Sequence, residues 1–315
     1  MKRFLKILIK ITISVSIIWY LVYRHGFSEL FSLDDLKEGW ILTALLFSTL
    51  SFLLGSLQWN MILRNLDIHL PFKKTLSFYY TGQFFNPFLL GFIGGDVVRV
   101  YDIAKTSGKN SEAISTVFLD RLIGLFILTL FAAVAAVYTA GLLESNFLMI
   151  LIILILVAVC FILVFLYSKP FAKKFESTGK KILPKRFHGR IREIYNSLNY
   201  YGSHPRLLGK LFLISIFVQS ARILVHYCTA RSVGVSVGLE YFFLFIPIIA
   251  LLITLPISIG GIGIRESSGA LLFRYIGVAE PKTVVFELLA FAVQVVCSLP
   301  GGVAFIFRKH EIKKE

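Results

Sequence analysis

Six runs of twenty or more mostly apolar residues constrain this chain more than anything else in it: Phe4–Tyr23, Ile41–Leu63, Ile114–Thr139, Phe147–Ser168, Leu207–Ala230 and Val284–Phe307. A helix rises about 1.5 Å per residue and a bilayer core is roughly 30 Å thick, so each run is long enough to span it. In lipid every backbone polar group must be satisfied within the protein, so runs of this kind fold as helices. The first run carries Lys6 and Lys10, whose long stems let the charge reach the interface. Tyr23-Arg24-His25 follows it rather than a small-residue cleavage site, so it reads as a retained span and not a signal peptide. Composition agrees: 57% of the 315 residues are hydrophobic and only 16% are charged, where a soluble domain carries about 25%. This excludes a soluble enzyme, a disordered tail and a secreted disulfide scaffold. Cys160, Cys228 and Cys297 all lie in apolar runs without metal-ligand spacing.

Two further apolar stretches are broken. Leu76–Val100 contains Gly82, Asn86-Pro87, Gly91 and Gly94-Gly95-Asp96, and Tyr241–Gly277 contains Pro247, Pro256 and Gly260-Gly261-Ile262-Gly263. Loop charge assigns the sides, because cytoplasmic loops are rich in lysine and arginine. The N-terminus (Lys2, Arg3, Lys6, Lys10), loop 64–75, the tail 308–315 and above all loop 169–206, with ten basic residues against Glu176 and Glu193, read as inside. Loops 24–39 and 140–146 read as outside. Both termini are therefore expected in the cytoplasm of a cell-membrane protein. Span 114–139 must begin inside, so stretch 76–95 enters and leaves from the inside as a re-entrant hairpin turning near Asn86-Pro87. Stretch 231–283 begins and ends outside. It is either a second re-entrant hairpin or a pair of short broken helices that cross and return. The cytoplasmic segments carry the whole of the formal +15 charge, so the basic surplus reports topology and not nucleic-acid binding.

The broken stretches share a pattern. Gly94-Gly95-x-x-x-Arg99 and Gly260-Gly261-x-x-x-Arg265 each follow a proline, Pro87 and Pro256. One opens inside and the other outside, as in transporters built from inverted repeats, whose interrupted helices mark the substrate site. The expected fold is thus an all-α polytopic membrane protein. It has about six full transmembrane helices plus two Gly/Pro-broken segments, with an inverted repeat, in one integral domain over residues 1–315. Within it, 169–206 is a cytoplasmic connector. Phe187, Ile191, Ile194, Leu198 and Tyr201 alternate there with basic residues. That suits an interfacial amphipathic helix, although a solvated linker has the same charge.

Charges inside apolar spans are costly and mark candidate sites. Asp96 and Arg99 end the first broken stretch, and Asp120-Arg121 lies inside a span, where Asp120 can neutralise Arg99 or Arg121. Arg222 sits mid-span with Gln219 and His226 on the same helical face, a stripe that must face the bundle interior or a wet cavity. Arg265-Glu266 follows the second glycine cluster, where a half-helix N-terminus favours an anion. Arginine suits phosphate because its fork donates two parallel hydrogen bonds. Glu287 and Gln294 share a face of the last span, and Glu287 reads as lying near its outer end. The sequence contains no Walker A or H-E-x-x-H motif. No catalytic residue, metal site or cofactor is expected.

Three ordered motifs then stand out: Gln83-Phe84-Phe85-Asn86-Pro87 running to Gly94-Gly95-Asp96-Val97-Val98-Arg99; Phe118-Leu119-Asp120-Arg121-Leu122-Ile123-Gly124; and Pro256-Ile257-Ser258-Ile259-Gly260-Gly261-Ile262-Gly263-Ile264-Arg265-Glu266. Together they resemble the lysylphosphatidylglycerol synthase transmembrane (flippase-like) domain family over nearly the whole chain. The resemblance implies about eight membrane segments that move or bind an anionic lipid. With the charges and broken turns above, the expected substrate contacts are Asn86, Gly94, Gly95, Asp96, Arg99, Asp120, Arg121, Arg222, Gly260, Gly261, Gly263, Arg265 and Glu266. Two-domain members add a cytosolic aminoacyl-transferase. The longest polar stretch here, about forty residues, is too short to hold one, so transferase activity is not expected. The expected function is translocation of an anionic phospholipid or polyprenyl-phosphate-linked lipid. The rival is an accessory protein that presents such a lipid to a separate glycosyl- or aminoacyl-transferase. Membrane lipids are the expected partners, and nucleic acid is not.

Overall fold

The computed structural model describes residues 36–89, 94–139, 157, 201, 204–254 and 260–307. The spans Phe4–Tyr23 and Phe147–Ser168, most of the connector 169–206 and the tail 308–315 lie outside these described residues. Within them the chain is all-helical. Eight helices follow in order: α1 (Glu38–Asn65), α2 (Phe72–Phe85), α3 (Gly94–Ser107), α4 (Asn110–Tyr138), α5 (Pro205–Ser232), α6 (Leu239–Thr254), α7 (Ile264–Arg274) and α8 (Glu280–Ile306). Four of them, α1, α4, α5 and α8, are long and apolar enough to cross a membrane, and each covers one of the predicted spans to within its last residue.

The helices are built inside out. On α1 the exposed face is a stripe of Leu42, Leu46, Leu50, Leu53 and Leu57, while Ser48, Ser51, Gly55, Ser56, Gln58 and Asn60 are buried. Leucine has nothing to gain from leaving lipid, so it stays outside. Small residues go inside, where they let helices approach, and polar ones find partners there.

Both broken stretches fold as helical hairpins, α2 against α3 and α6 against α7. Their arms have 14, 14, 16 and 11 residues. At about 1.5 Å per residue none reaches the roughly 30 Å of a bilayer core. The two tips meet: a Cβ added to Gly260 would collide with the backbone of Pro87. Gly260, Gly261 and Gly263 all have positive φ, at 60°, 77° and 86°. Other residues resist that conformation, so this turn requires its glycines.

The packing pattern is duplicated. Hairpin arm α2 packs against α8, and its counterpart α6 packs against α4. Likewise α3 packs on α4 as α7 does on α8, and α1 on α2 as α5 does on α6. The two first helices, α1 and α5, pack against each other. They even end alike: Ile68 N–H reaches back to Leu63 O across Asp67 (φ 54°), and Val235 N–H to Ala230 O across Gly234 (φ 78°). Among the described residues the chain thus forms two four-helix units, α1–α4 and α5–α8, each packing the first arm of its hairpin against the other unit's last helix.

One close approach fixes a hairpin in place. Pro300 lies inside α8, and Gly301 and Gly302 follow it against α2. A Cβ on Gly301 would sit 2.6 Å from Thr81 N. Gly301→Val is expected to cost about 1–3 kcal/mol through overpacking, read as a lower denaturation temperature of the detergent-purified chain by size exclusion. Gly39→Val, where an added methyl meets nothing, is the control.

Candidate functional site

Between the two units lies a cavity of about 550 Å³. Its walls are mostly apolar, from residues such as Phe52, Val117, Leu128, Ile246 and Ile253. Its charges are the ones that stood out in the sequence: Asp96, Arg99, Asp120, Arg121, Arg222 and Arg265 all line it. Four separate helices, α3, α4, α5 and α7, supply them. Four arginines thus face two aspartates.

The first unit neutralises its arginines internally. Arg99 lies over the rings of Trp59 and Tyr79, with its guanidinium carbon 4.1 and 4.7 Å from their centroids. Its Nη1 donates to Asp96 Oδ1 at 3.3 Å and its Nη2 to Asp120 Oδ2 at 2.9 Å. Arg121 Nε donates to the other oxygen of Asp96. Gln58 Nε2 donates to the other oxygen of Asp120 at 2.9 Å. Asp120 therefore neutralises Arg99, and Asp96 bridges Arg99 and Arg121. All four charges form one chain of alternating sign. Buried charges persist only when paired and hydrogen-bonded like this.

The second unit does not follow suit. Among the described residues, neither Arg222 nor Arg265 has a carboxylate within ion-pair distance. Arg222 Nη2 donates to the Tyr79 hydroxyl at 3.1 Å. Arg265 is only 2% exposed. Its guanidinium stands 4.9 Å from the Phe291 ring and its Nη2 reaches Gly260 O at 3.3 Å, while Nη1 is buried without a hydrogen-bond partner. Both arginines thus stand outside the first unit's chain of ion pairs, and the carboxylate nearest Arg265 is that of the next residue, the buried Glu266, which it does not touch.

The other residues named from the sequence hold backbone in place, and their side chains do not line the cavity. Asn86 Oδ1 accepts from Gly95 N–H at 2.9 Å, which ties the first hairpin across its tip. Gly94 and Gly95 are buried against Leu89 and Gly82. Glu266 Oε2 accepts from Gly263 N–H at 2.6 Å. The anion at the N-terminus of α7 is therefore the chain's own carboxylate, and the arginine beside it makes no ion-pair contact with it. Gly260, Gly261 and Gly263 shape that turn.

Gln219, Arg222 and His226 do face the cavity together. Sequence reading missed Gln58, which donates to Asp120, and Trp59 and Tyr79, which stack on Arg99, Tyr79 also accepting from Arg222. The signal was present in Gln58-Trp59-Asn60, a polar interruption deep in an apolar run. Glu287 is not near an exposed end. It is fully buried, with Oε2 3.0 Å from His226 Nδ1.

Comparison with known proteins follows the same outline. The family model described as the lysylphosphatidylglycerol synthase TM region matches residues 7–301. The UPF0104 membrane protein PH1989 of Pyrococcus horikoshii is 27% identical over 311 residues, covering 92% of each chain.

Proposed function

Because this chain belongs to the lysylphosphatidylglycerol synthase transmembrane-region family, we propose that it binds the phosphate of an anionic membrane lipid between its two units and moves that lipid between leaflets. One observation carries the reading: the shared cavity holds two arginines, Arg222 and Arg265, that make no ion-pair contact with a carboxylate of the described residues. A phosphodiester supplies the missing partner, and arginine's planar fork matches its oxygens. The apolar walls suit the first carbons of the acyl or polyprenyl chains, whose remainder stays in the bilayer. Contacts from both hairpins and from α5 let the site be handed from one side to the other as the tips part, in the manner of inverted-repeat transporters. Aminoacyl transfer forms no part of this role. On this reading the membrane is the cell membrane and both termini lie on the cytoplasmic side, which the excess of lysine and arginine in loops 64–75 and 169–206 supports.

Purified protein in liposomes containing fluorescently labelled phosphatidylglycerol tests the reading. Wild-type protein is expected to expose inner-leaflet label to an external quencher, and Arg222→Gln to slow that exposure about tenfold or more, since a hydrogen bond to a charged group is worth about 1.5–3 kcal/mol. Lipid retention without movement would instead favour a protein that presents lipid to a separate transferase.

A further inference from the structure

Both units place polar side chains of two long helices around the hairpin arginine, but with different chemistry. In the first unit α1 offers Gln58 to Asp120 of α4, which in turn holds Arg99. In the second unit α5 offers His226 to Glu287 of α8, 3.0 Å apart, and Arg265 is left to the cavity. Arginine and aspartate keep their charges across the physiological range, whereas histidine is the side chain whose charge changes there. His226 is 6% exposed and lines the cavity, while Glu287 is 0% exposed. His226 Nδ1 and both Glu287 oxygens are buried without a hydrogen-bond partner, so their 3.0 Å approach is a charge contact and not a hydrogen bond, and Glu266 Oε1 is unpartnered as well. Such a cluster is costly inside a membrane and is kept where it works on ions or protons.

The charges around the pair are few. From α7 come Arg265 and Glu266, and Arg222 lies one turn away on α5, with Tyr227 and Cys228 beside His226. From α4 the ionisable groups facing the cavity are Asp120 and Arg121, already paired within the first unit. From α2 they are Tyr79 and Tyr80, and α1 carries no ionisable side chain between Glu38 and Arg64. On α6 the ionisable groups are Glu240 and Tyr241, in its first turn.

We propose that the His226–Glu287 pair is a proton site linked to the anion site, so that the lipid anion and one proton bind together. The proposal rests on the anion-binding reading above. With one proton the pair is neutral overall. Without it the pair carries a negative charge next to the cavity that must receive an anion. A proton taken up by either side chain removes that repulsion. By reciprocity, a bound anion raises the pair's affinity for the proton.

The test is calorimetric titration of the full detergent-purified chain with dioctanoyl phosphatidylglycerol, in paired buffers of different ionisation heat, across about pH 5 to 8. The phosphodiester itself keeps one charge throughout. Wild-type affinity is expected to rise as pH falls, by up to about tenfold per pH unit, the limit for one linked proton, with proton uptake on binding. The double variant His226→Gln, Glu287→Gln keeps a polar pair of similar size and is expected to bind with a flat pH profile and no uptake. Wild-type binding that is independent of pH, or a double variant that keeps the full slope, overturns the proton site and leaves the anion site standing. Failure of wild-type protein to bind at any pH overturns the anion site, and this inference with it.

Discussion

Arg99→Gln is expected to destabilise the protein by about 3–5 kcal/mol, the usual cost of removing one partner from a buried ion pair. Arg99 joins Asp96 and Asp120, so without its guanidinium two buried carboxylates face each other with one cation, Arg121, between them. The Trp59 and Tyr79 rings lose the cation they stack on as well. The measurement is the denaturation temperature and yield of the purified variant in detergent. Arg99→Lys should recover only part of the loss, because an ammonium cannot fork to two carboxylates while lying flat between two rings. A variant as stable as wild type but unable to bind lipid would instead make Arg99 a ligand residue.

Arg265→Gln is expected to do the opposite. It makes no ion-pair contact with a described carboxylate, so the fold loses little, and the cavity loses one of its two arginines outside the first unit's ion-pair chain. Phosphatidylglycerol binding should weaken about ten- to a hundredfold, from the roughly 1.5–3 kcal/mol of a charge-assisted hydrogen bond. Dioctanoyl phosphatidylglycerol titration measures it, beside a thermal denaturation curve that should barely move. Weak binding accompanied by a collapsed denaturation temperature would show that Arg265 holds α6 and α7 together through Gly260 instead.

These opposite expectations arise from the same local sequence. Gly94-Gly95-x-x-x-Arg99 and Gly260-Gly261-x-x-x-Arg265 are indistinguishable as motifs. Both were legible as break points and both arginines as candidates. What separates them is long-range: Arg99 is met by Asp120, 21 positions on, while the matching position near Arg265 is taken by a glutamate that turns to His226. Tyr79 shows the same limit, since its ring lies under Arg99 and its hydroxyl accepts from Arg222, 143 positions away. Glu287 shows the limit again: counting from the start of an apolar run puts it near one end of α8, but its burial comes from hairpin α6–α7, which packs over that part of the helix.

The sequence alone determined the long elements. Whether a run spans lipid depends on its own length and hydropathy, which are one-dimensional properties, and α1, α4, α5 and α8 follow them closely. The sequence also marked the two hairpins, because proline and glycine break helices wherever they stand. Only the tertiary structure decided which charges cancel. Neutralisation needs contact within about 4 Å, and the two-unit packing brings together residues from four helices that no spacing along the chain relates. That packing paired Arg99 and Arg121 with aspartates and left Arg222 and Arg265 to the cavity.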